Sequence, residues 1–272
     1  MAPCALTRSN LLNGYLNALP ALLRAARSEM VPVAGSTLRI PGPPGVRASV
    51  VAGNVRMRAL LDALLRPGDT VVDVGANIGA IAVHAARVVG PSGVVVAIEP
   101  APDNLGLLRE NLARNGLSHV QVVAGGAGPQ RARRTLFLRG AVSAVNSFYA
   151  ESCYGTVSGT TEVEVAPLDD LVPGPARLVK IDVEGAELEV LEGMSRLLSS
   201  PALTLVVEWH PLLQRAAGAE TDALPHWLLA RGFTLHAVGH LSCAELQRHE
   251  IEPLMRNLMR RGRPVELLAT RP

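Results

Sequence analysis

The sequence predicts an α/β fold, an open and mostly parallel doubly wound sheet with helices on both faces. Short β-branched runs recur at 70–72, 94–98, 120–124, 178–181 and 203–207, bounded by glycine- and proline-marked turns. Over the first three runs strand and helix patterns alternate as βαβαβ, the order that belongs to a parallel sheet. The chain of 272 residues, 48% hydrophobic and 18% charged, is long enough to bury a substantial core. Aromatic residues make up only 3%, so that core must be built from Ala, Val and Leu.

From the N-terminus, Asn10 to Met30 carries Leu12, Tyr15, Leu16, Leu19, Leu22, Leu23 and Ala26 at helical spacing, interrupted by Pro20. One kinked helix or two short ones are expected, packing on the main domain, closing over the site or making a homodimer contact. The PGPPG stretch at 41–45, between candidate strands at 37–40 and 46–51, reads as a β-hairpin leading into a helix from Val55 to Leu65. Residues 1–54 are therefore expected to form a helical and hairpin extension, and 55–272 the main domain.

In that domain, DTVVDVGANIG at 69–79 is a strand, a tight turn and a helix start. Gly75 allows a sharp turn beside a ligand, and Gly79 allows close packing of the helix over about 79–89. Unpaired N–H groups at such a helix start favour a nucleotide-like cofactor. A dinucleotide needs G-x-G-x-x-G, whereas this loop reads D-x-G-x-x-x-G with Asn77 in place of a glycine, which disfavours pyrophosphate. The next strand, Val94 to Ile98, ends on Glu99, 26 residues after Asp73. That is close to where an α/β nucleotide site holds the ribose on a carboxylate. A helix starting at Pro102 and Asp103 ends at Asn115-Gly116, and the strand Val120 to Ala124 runs into GGAG.

Strands near 135–138 and 162–166 flank an insertion, 139–161, and Phe137, Phe148, Tyr149 and Tyr154 fall in or beside it. Scarce aromatics gathered in one loop suit a substrate lid. Beyond it, the strand Leu178 to Ile181 delivers Asp182, then Glu184-Gly185 opens a helix, and the strand Leu203 to Val207 delivers Glu208-Trp209-His210. Lys180, the chain's single lysine, is expected to pair with carboxylates on the neighbouring strands. Helices at 222–231 and about 243–260 and strands at 233–238 and 265–269 complete a seven-stranded sheet.

The formal charge is +2 and the arginines are dispersed. The densest basic stretch, Arg256 to Arg263, reads as a solvated helix end, so no nucleic-acid partner is expected. No apolar run reaches membrane-spanning length and no secretory pattern precedes the fold, so a cytoplasmic protein without a membrane partner is expected. Cysteines 4, 153 and 243 are widely separated, which argues against a disulfide framework or a zinc site.

Five stretches, DVGANIG at 73–79, IEP at 98–100, PDNLGLLRENLARNGL at 102–117, VAPLDDL at 165–171 and VKIDVEGAELEVLEGM at 179–194, together resemble the FkbM family of S-adenosylmethionine-dependent methyltransferases. The likeness covers roughly 55–240; the KIDVEGAE stretch following LDDL is its most specific part. It implies a Rossmann-like class I methyltransferase fold of strand order 3-2-1-4-5-7-6 with strand 7 antiparallel. It also implies O-methylation of a small-molecule acceptor such as a sugar or secondary metabolite, yielding S-adenosylhomocysteine. Carried over by position, Asp73, Gly75, Asn77 and Gly79 would hold the methionine end of the donor, and Glu99 with Pro100 its ribose. Ala124 and Gly125 would face the adenine, and Asp182 would lie near the donor amino group or the acceptor.

An alcohol acceptor must lose a proton during transfer. His210 is the expected base, with Asp182 and Glu208 beside it, while Glu184, Phe148, Tyr149 and Tyr154 are expected to meet the substrate. Asp182, Glu184, Glu208 and His210 could alternatively bind Mg²⁺. Carboxylate methylation, a nicotinamide-dependent oxidoreductase and a noncatalytic donor-binding module are the competing functions.

Overall fold

The computed structural model of the chain describes residues 8–140, 144–239 and 243–271; Cys4, His240 and residues 141–143 of the expected lid lie outside the described residues. At its centre is an eight-stranded sheet. Its order is Cys243–Glu245, Thr234–Val238, Val265–Thr270, Thr204–Trp209, Leu178–Ile181, Thr70–Val74, Val94–Glu99, Val120–Ala124. Thr204–Trp209 and the four strands after it in that order pair in parallel. Val265–Thr270 is antiparallel to both of its neighbours. Seven of the eight are the expected strands in the expected order.

The eighth strand corrects the expectation of a helix from 243. Cys243–Glu245 pairs antiparallel with 236–238, and the helix begins only at Ile251. Pro253 explains the late start: in the first turn its missing N–H costs nothing, whereas inside a helix begun at 243 it would break a hydrogen bond and clash.

A second correction concerns the hairpin. It is formed by Met30–Val33 and Ser36–Arg39, joined through Ala34 and Gly35, both at positive φ, the turn geometry that matches strand twist. Residues 46–51 belong instead to the helix Pro44–Leu64. Pro44 sits in its first turn, and Arg47, Val51, Val55 and Arg58 are buried at helical spacing. The preceding segment is one helix, Arg8–Ala25, with Pro20 inside it; the side chains of Leu12, Tyr15 and Leu16 lie outside the described residues.

The sheet is buried on both faces, as its near-continuous apolar strands require. Val71, Val95 and Ala97 join a cluster with Val31, Leu61, Ala85 and Leu108 on one face. Val72, Val96 and Ile98 join Val190, Leu191, Leu224 and Leu258 on the other. Successive residues point to opposite sides, the two-residue period of a strand. A smaller sheet orders Gly126–Ala127, Gly159–Ala166 and Ala132–Leu138, the latter two antiparallel. Cys243 is disulfide-bonded, against the expectation from cysteine spacing, and Cys153 is a free, exposed thiol. No helix among the described residues is long and apolar enough to cross a membrane.

Asn111, fully buried on the helix Pro102–Arg114, ties three elements together. Its Oδ1 accepts from Arg39 N at 2.6 Å, and its Nδ2 donates to Ile78 O at 2.8 Å and to Arg39 O at 3.2 Å. The hairpin and the glycine loop are thereby fixed to one side chain. Asn111→Ala leaves buried backbone groups unpaired and is expected to cost about 2–3 kcal/mol in urea unfolding; an unchanged midpoint would remove Asn111 from this role.

Candidate active site

Parallel strands deliver their carboxyl ends to one rim, and a cavity of about 470 Å³ opens there. Asp73, Gly75, Asn77, Glu99, Pro100 and Gly125 line one part of it, and Lys180, Asp182, Glu184, Glu208 and Glu266 another.

The loop after Thr70–Val74 is held by backbone bonds from Gly75 N and Ala76 N to Ile98 O, at 3.0 and 2.9 Å. Gly75, Asn77 and Gly79 all have positive φ, at 83°, 51° and 87°. The glycine at 75 answers to the neighbouring strand: a Cβ there would lie 1.9 Å from Asp182 O. This close approach adds to the expected sharp turn, and Gly75 also lines the cavity. At Gly79 a Cβ would lie 2.6 Å from Leu108 Cδ1, so this glycine permits helix-to-helix approach, and it does not line the cavity.

Glu99 is 4% exposed and fixed by three donors. Its Oε1 accepts from Ala101 N at 2.9 Å and Asn104 Nδ2 at 3.2 Å, and its Oε2 from Asn77 N at 2.8 Å. Burial pushes its pKa up, and the same donors oppose that rise. One acceptor position of Oε2 stays open to a hydroxyl. Asp73, 1% exposed, lines the cavity with no hydrogen-bond partner on either oxygen, and Asn77 Oδ1 is likewise unpaired. Buried acceptors without donors are costly. They fit a ligand that brings an ammonium and hydroxyl groups.

Lys180 lies between the two parts of the cavity. Its register partners are Asp73 and Val206, and its Nζ stands 3.0 Å from Asp182 Oδ2 and 3.8 Å from Asp73 Oδ1. Burial works against the ammonium, yet Asp182, Asp73 and Glu266 outweigh it and hold the pKa above its ordinary value. Of the carboxylates expected on the neighbouring strands, Asp73 is paired and Glu208 is not, and the shorter contact is to Asp182 at the end of the lysine's own strand.

At the second part of the cavity, oxygens of Asp182, Glu208 and Glu266 lie within 4.8 Å of one another. Glu266 had no part in the expected site. Its one sequence signal is a carboxylate inside the otherwise apolar run Val265 to Ala269. Burial, with Asp182, Glu184 and Glu266 nearby, raises the Glu208 pKa well above the carboxylate range. Burial likewise pushes Glu266 up to about 7. The four residues expected for Mg²⁺ are not assembled, because His210 is off the cavity, and the Lys180 ammonium already supplies positive charge beside Asp182.

His210 is buried one residue beyond its strand, as the cap of the helix Pro211–Ala216. Its ring meets Tyr154 edge-on at 5.5 Å, and neither nitrogen has a hydrogen-bond partner among the described residues. Burial lowers its pKa, so the imidazole is neutral. Tyr154 and Tyr149 also do not line the cavity. The Tyr149 hydroxyl donates to Glu189, and burial together with that bond pushes its pKa up to about 12. Phe148 alone of the expected aromatic contacts reaches the cavity, where its ring packs on Gly126 under the Arg134 guanidinium.

Ala124 is exposed and outside the cavity; Gly125, Gly126 and Ala127 form the wall at that strand end. Glu184 is 8% exposed with Oε2 unpaired, and its backbone oxygen accepts from Ser147 Oγ at 2.7 Å. The helix Pro44–Leu64 adds Ser49, Asn54 and Arg56 to the wall. Reading 46–51 as a strand concealed that contribution.

A family model described as the methyltransferase FkbM domain matches residues 73–235. The chain is 30% identical over 149 residues to Methyltransferase 1 of Beauveria bassiana, covering 47% of this chain and 59% of that protein. It is 34% identical over 143 residues to the hexuronic acid methyltransferase AglP of Haloferax volcanii, covering 51% and 55%. The matched stretch thus spans little more than half of either relative. Among solved structures, the chain is similar to methyltransferase FkbM from Methylobacillus flagellatus, at 18% identity and a TM-score of 0.49, covering 94% of this chain and 60% of that one.

Gly75→Ala would force a Cβ against Asp182 O in a left-handed conformation. It is expected to lose about 2–5 kcal/mol of stability, read as a lowered melting temperature. A variant as stable as the parent would show that the two strand ends can separate at no cost.

Proposed function

The chain belongs to the FkbM methyltransferase family, and on that premise we propose that it is an S-adenosylmethionine-dependent O-methyltransferase acting on a hydroxyl of a small molecule such as a sugar or secondary metabolite. The observation that carries this reading is one continuous cavity running from the Asp73–Glu99 wall to the Asp182–Glu208 wall. When bound, S-adenosylmethionine supplies an electrophilic methyl group.

The chain's own residues divide the work. Asp73, lacking hydrogen-bond donors of its own, takes the donor's ammonium. Glu99 Oε2 accepts from a ribose hydroxyl, and its three donors keep it oriented for that purpose. Gly125 and Gly126, with Phe148, flank the adenine by backbone and ring rather than by a polar side chain. At the other wall Asp182 and Glu208 orient the acceptor hydroxyl, whose proton must leave as its oxygen becomes the nucleophile.

The described part of the insertion, 139–140 and 144–161, serves as the lid that excludes water. Supporting that role, Arg139 Nη2 donates to Tyr149 O and Ala150 O, both at 2.9 Å, and Phe148 reaches the cavity. A hexuronic acid methyltransferase among the relatives supports a sugar-type acceptor. The crowding of Asp182, Glu184, Glu208 and Glu266, which already holds Glu184 and Glu208 above the ordinary carboxylate range, disfavours adding a further carboxylate and so favours a neutral hydroxyl as the methylated group.

Incubation with labelled donor and a panel of sugars, polyketides and peptides, followed by mass spectrometry, is expected to return a methyl ether. A methyl ester, or no product at all, would reject this reading. Glu99→Ala is expected to weaken S-adenosylmethionine binding at least about tenfold by calorimetry, the loss of a charge-assisted hydrogen bond. Unchanged affinity would take Glu99 out of the donor site.

A further inference from the structure

We propose that Glu208 and Glu266 share one proton and that Glu266 is the catalytic base, taking the proton of the acceptor hydroxyl. This rests on the O-methyltransferase reading above and assigns the base within it.

Register brings the pair together. Glu208 and Glu266 are directly opposed on antiparallel strands, so their side chains leave the sheet on the same face. Both line the cavity, and their oxygens lie within 4.8 Å of each other and of Asp182. Two carboxylates held that close, half-buried in a shared cavity, resist ionising together.

The surroundings decide which one keeps the proton. Glu208 is faced by Asp182, Glu184 and Glu187, all acidic. Glu266 is faced by Asp182 and Glu187 too, but Lys180 from the central strand and Arg56 from the helix Pro44–Leu64 relieve it. Glu266 is therefore the more readily ionised of the pair, and Glu208 the one that holds the proton more readily.

Other groups are already committed or misplaced. Asp182 is paired with Lys180 at 3.0 Å, and His210 stands outside the cavity wall. Independently, the same cavity is lined by Glu184, 8% exposed, with Oε2 lacking any partner. A ligand group is needed there to satisfy it.

In the step itself, the acceptor O–H bond breaks and its proton moves to the Glu266 carboxylate. The freed electron pair forms the O–CH₃ bond, while the pair of the breaking C–S bond stays on sulfur, leaving a neutral thioether. Glu266 returns its proton to solvent after the product departs. Because the base must be ionised, turnover falls as pH drops through the Glu266 pKa of about 7.

Two measurements test the assignment. Carboxyl ¹³C NMR of the full chain with S-adenosylhomocysteine bound is expected to show two glutamates titrating near pH 7, Glu187 and Glu266, of which one is absent in Glu266→Gln and unmoved in Glu208→Gln. A Glu266 step in the ordinary range, about 4.3, or one that falls in Glu208→Gln, would overturn the shared proton. With an acceptor returned by the product screen, Glu266→Gln is expected to lower turnover about 10²- to 10⁴-fold and to leave S-adenosylhomocysteine affinity unchanged. Glu208→Gln, which keeps a neutral partner, is expected to lower turnover about tenfold. Full turnover in Glu266→Gln, or activity lost to EDTA and restored by Mg²⁺, would overturn this proposal alone. A parent chain that methylates nothing in the panel would overturn the reading of the whole site, and the base with it.

Discussion

The ammonium of Lys180 is the constraint on which the site depends. It is 5% exposed inside a parallel sheet, between Asp73 and Asp182, with Glu266 near enough to be felt. Parallel strands bring their carboxyl ends to one rim, and in this chain those ends carry acids. Without a buried cation the rim would hold several desolvated negative charges at short range, a cost that packing cannot offset. The chain's only lysine lets the Asp73–Glu99 wall and the Asp182–Glu208 wall share one cavity.

A backbone contact adds to that electrostatic link. The loop at Gly75 and the strand end at Asp182 approach so closely that no side chain fits between them. Glu99 reaches back to the Asn77 amide, and Asn111 anchors Ile78 to the hairpin. The wall around Asp73 and Glu99 is thus over-determined by several independent contacts, the condition under which three alternate left-handed residues, 75, 77 and 79, persist.

What was legible in the sequence followed from local chemistry. Strand runs, glycine turns and helix starts located all seven expected strands, because buried parallel strands are written as short apolar runs. Asp73, Glu99, Asp182 and Glu208 were legible because each ends such a run. Errors arose where a long-range partner decides. Residues 46–51 read equally as strand or helix until Pro44 sets the first turn and Arg47, Val51 and Val55 are buried, Arg47 donating to the backbone of Ala25 and Gly42. Whether His210 reaches the cavity depends on the direction of the chain one residue past the strand, which periodicity does not encode. Glu266 was illegible for a related reason: its significance lies in its register with Glu208, a pairing between segments far apart in sequence. Ala124 failed through exposure at the sheet edge.

The helix Pro44–Leu64 brings Ser49, Gly53 and Arg56 to the cavity from one side, spaced as one face of a helix. It lies before the matched stretch 73–235, and Glu266 lies after it. On the function proposed above, the wall assigned to the donor is therefore written in the shared part of the chain, and part of the wall assigned to the acceptor is written in its flanks. Such a division makes acceptor choice modular. On that reading, exchange of the flanking helix would alter the choice of acceptor while the residues at the ends of the parallel strands stay as they are.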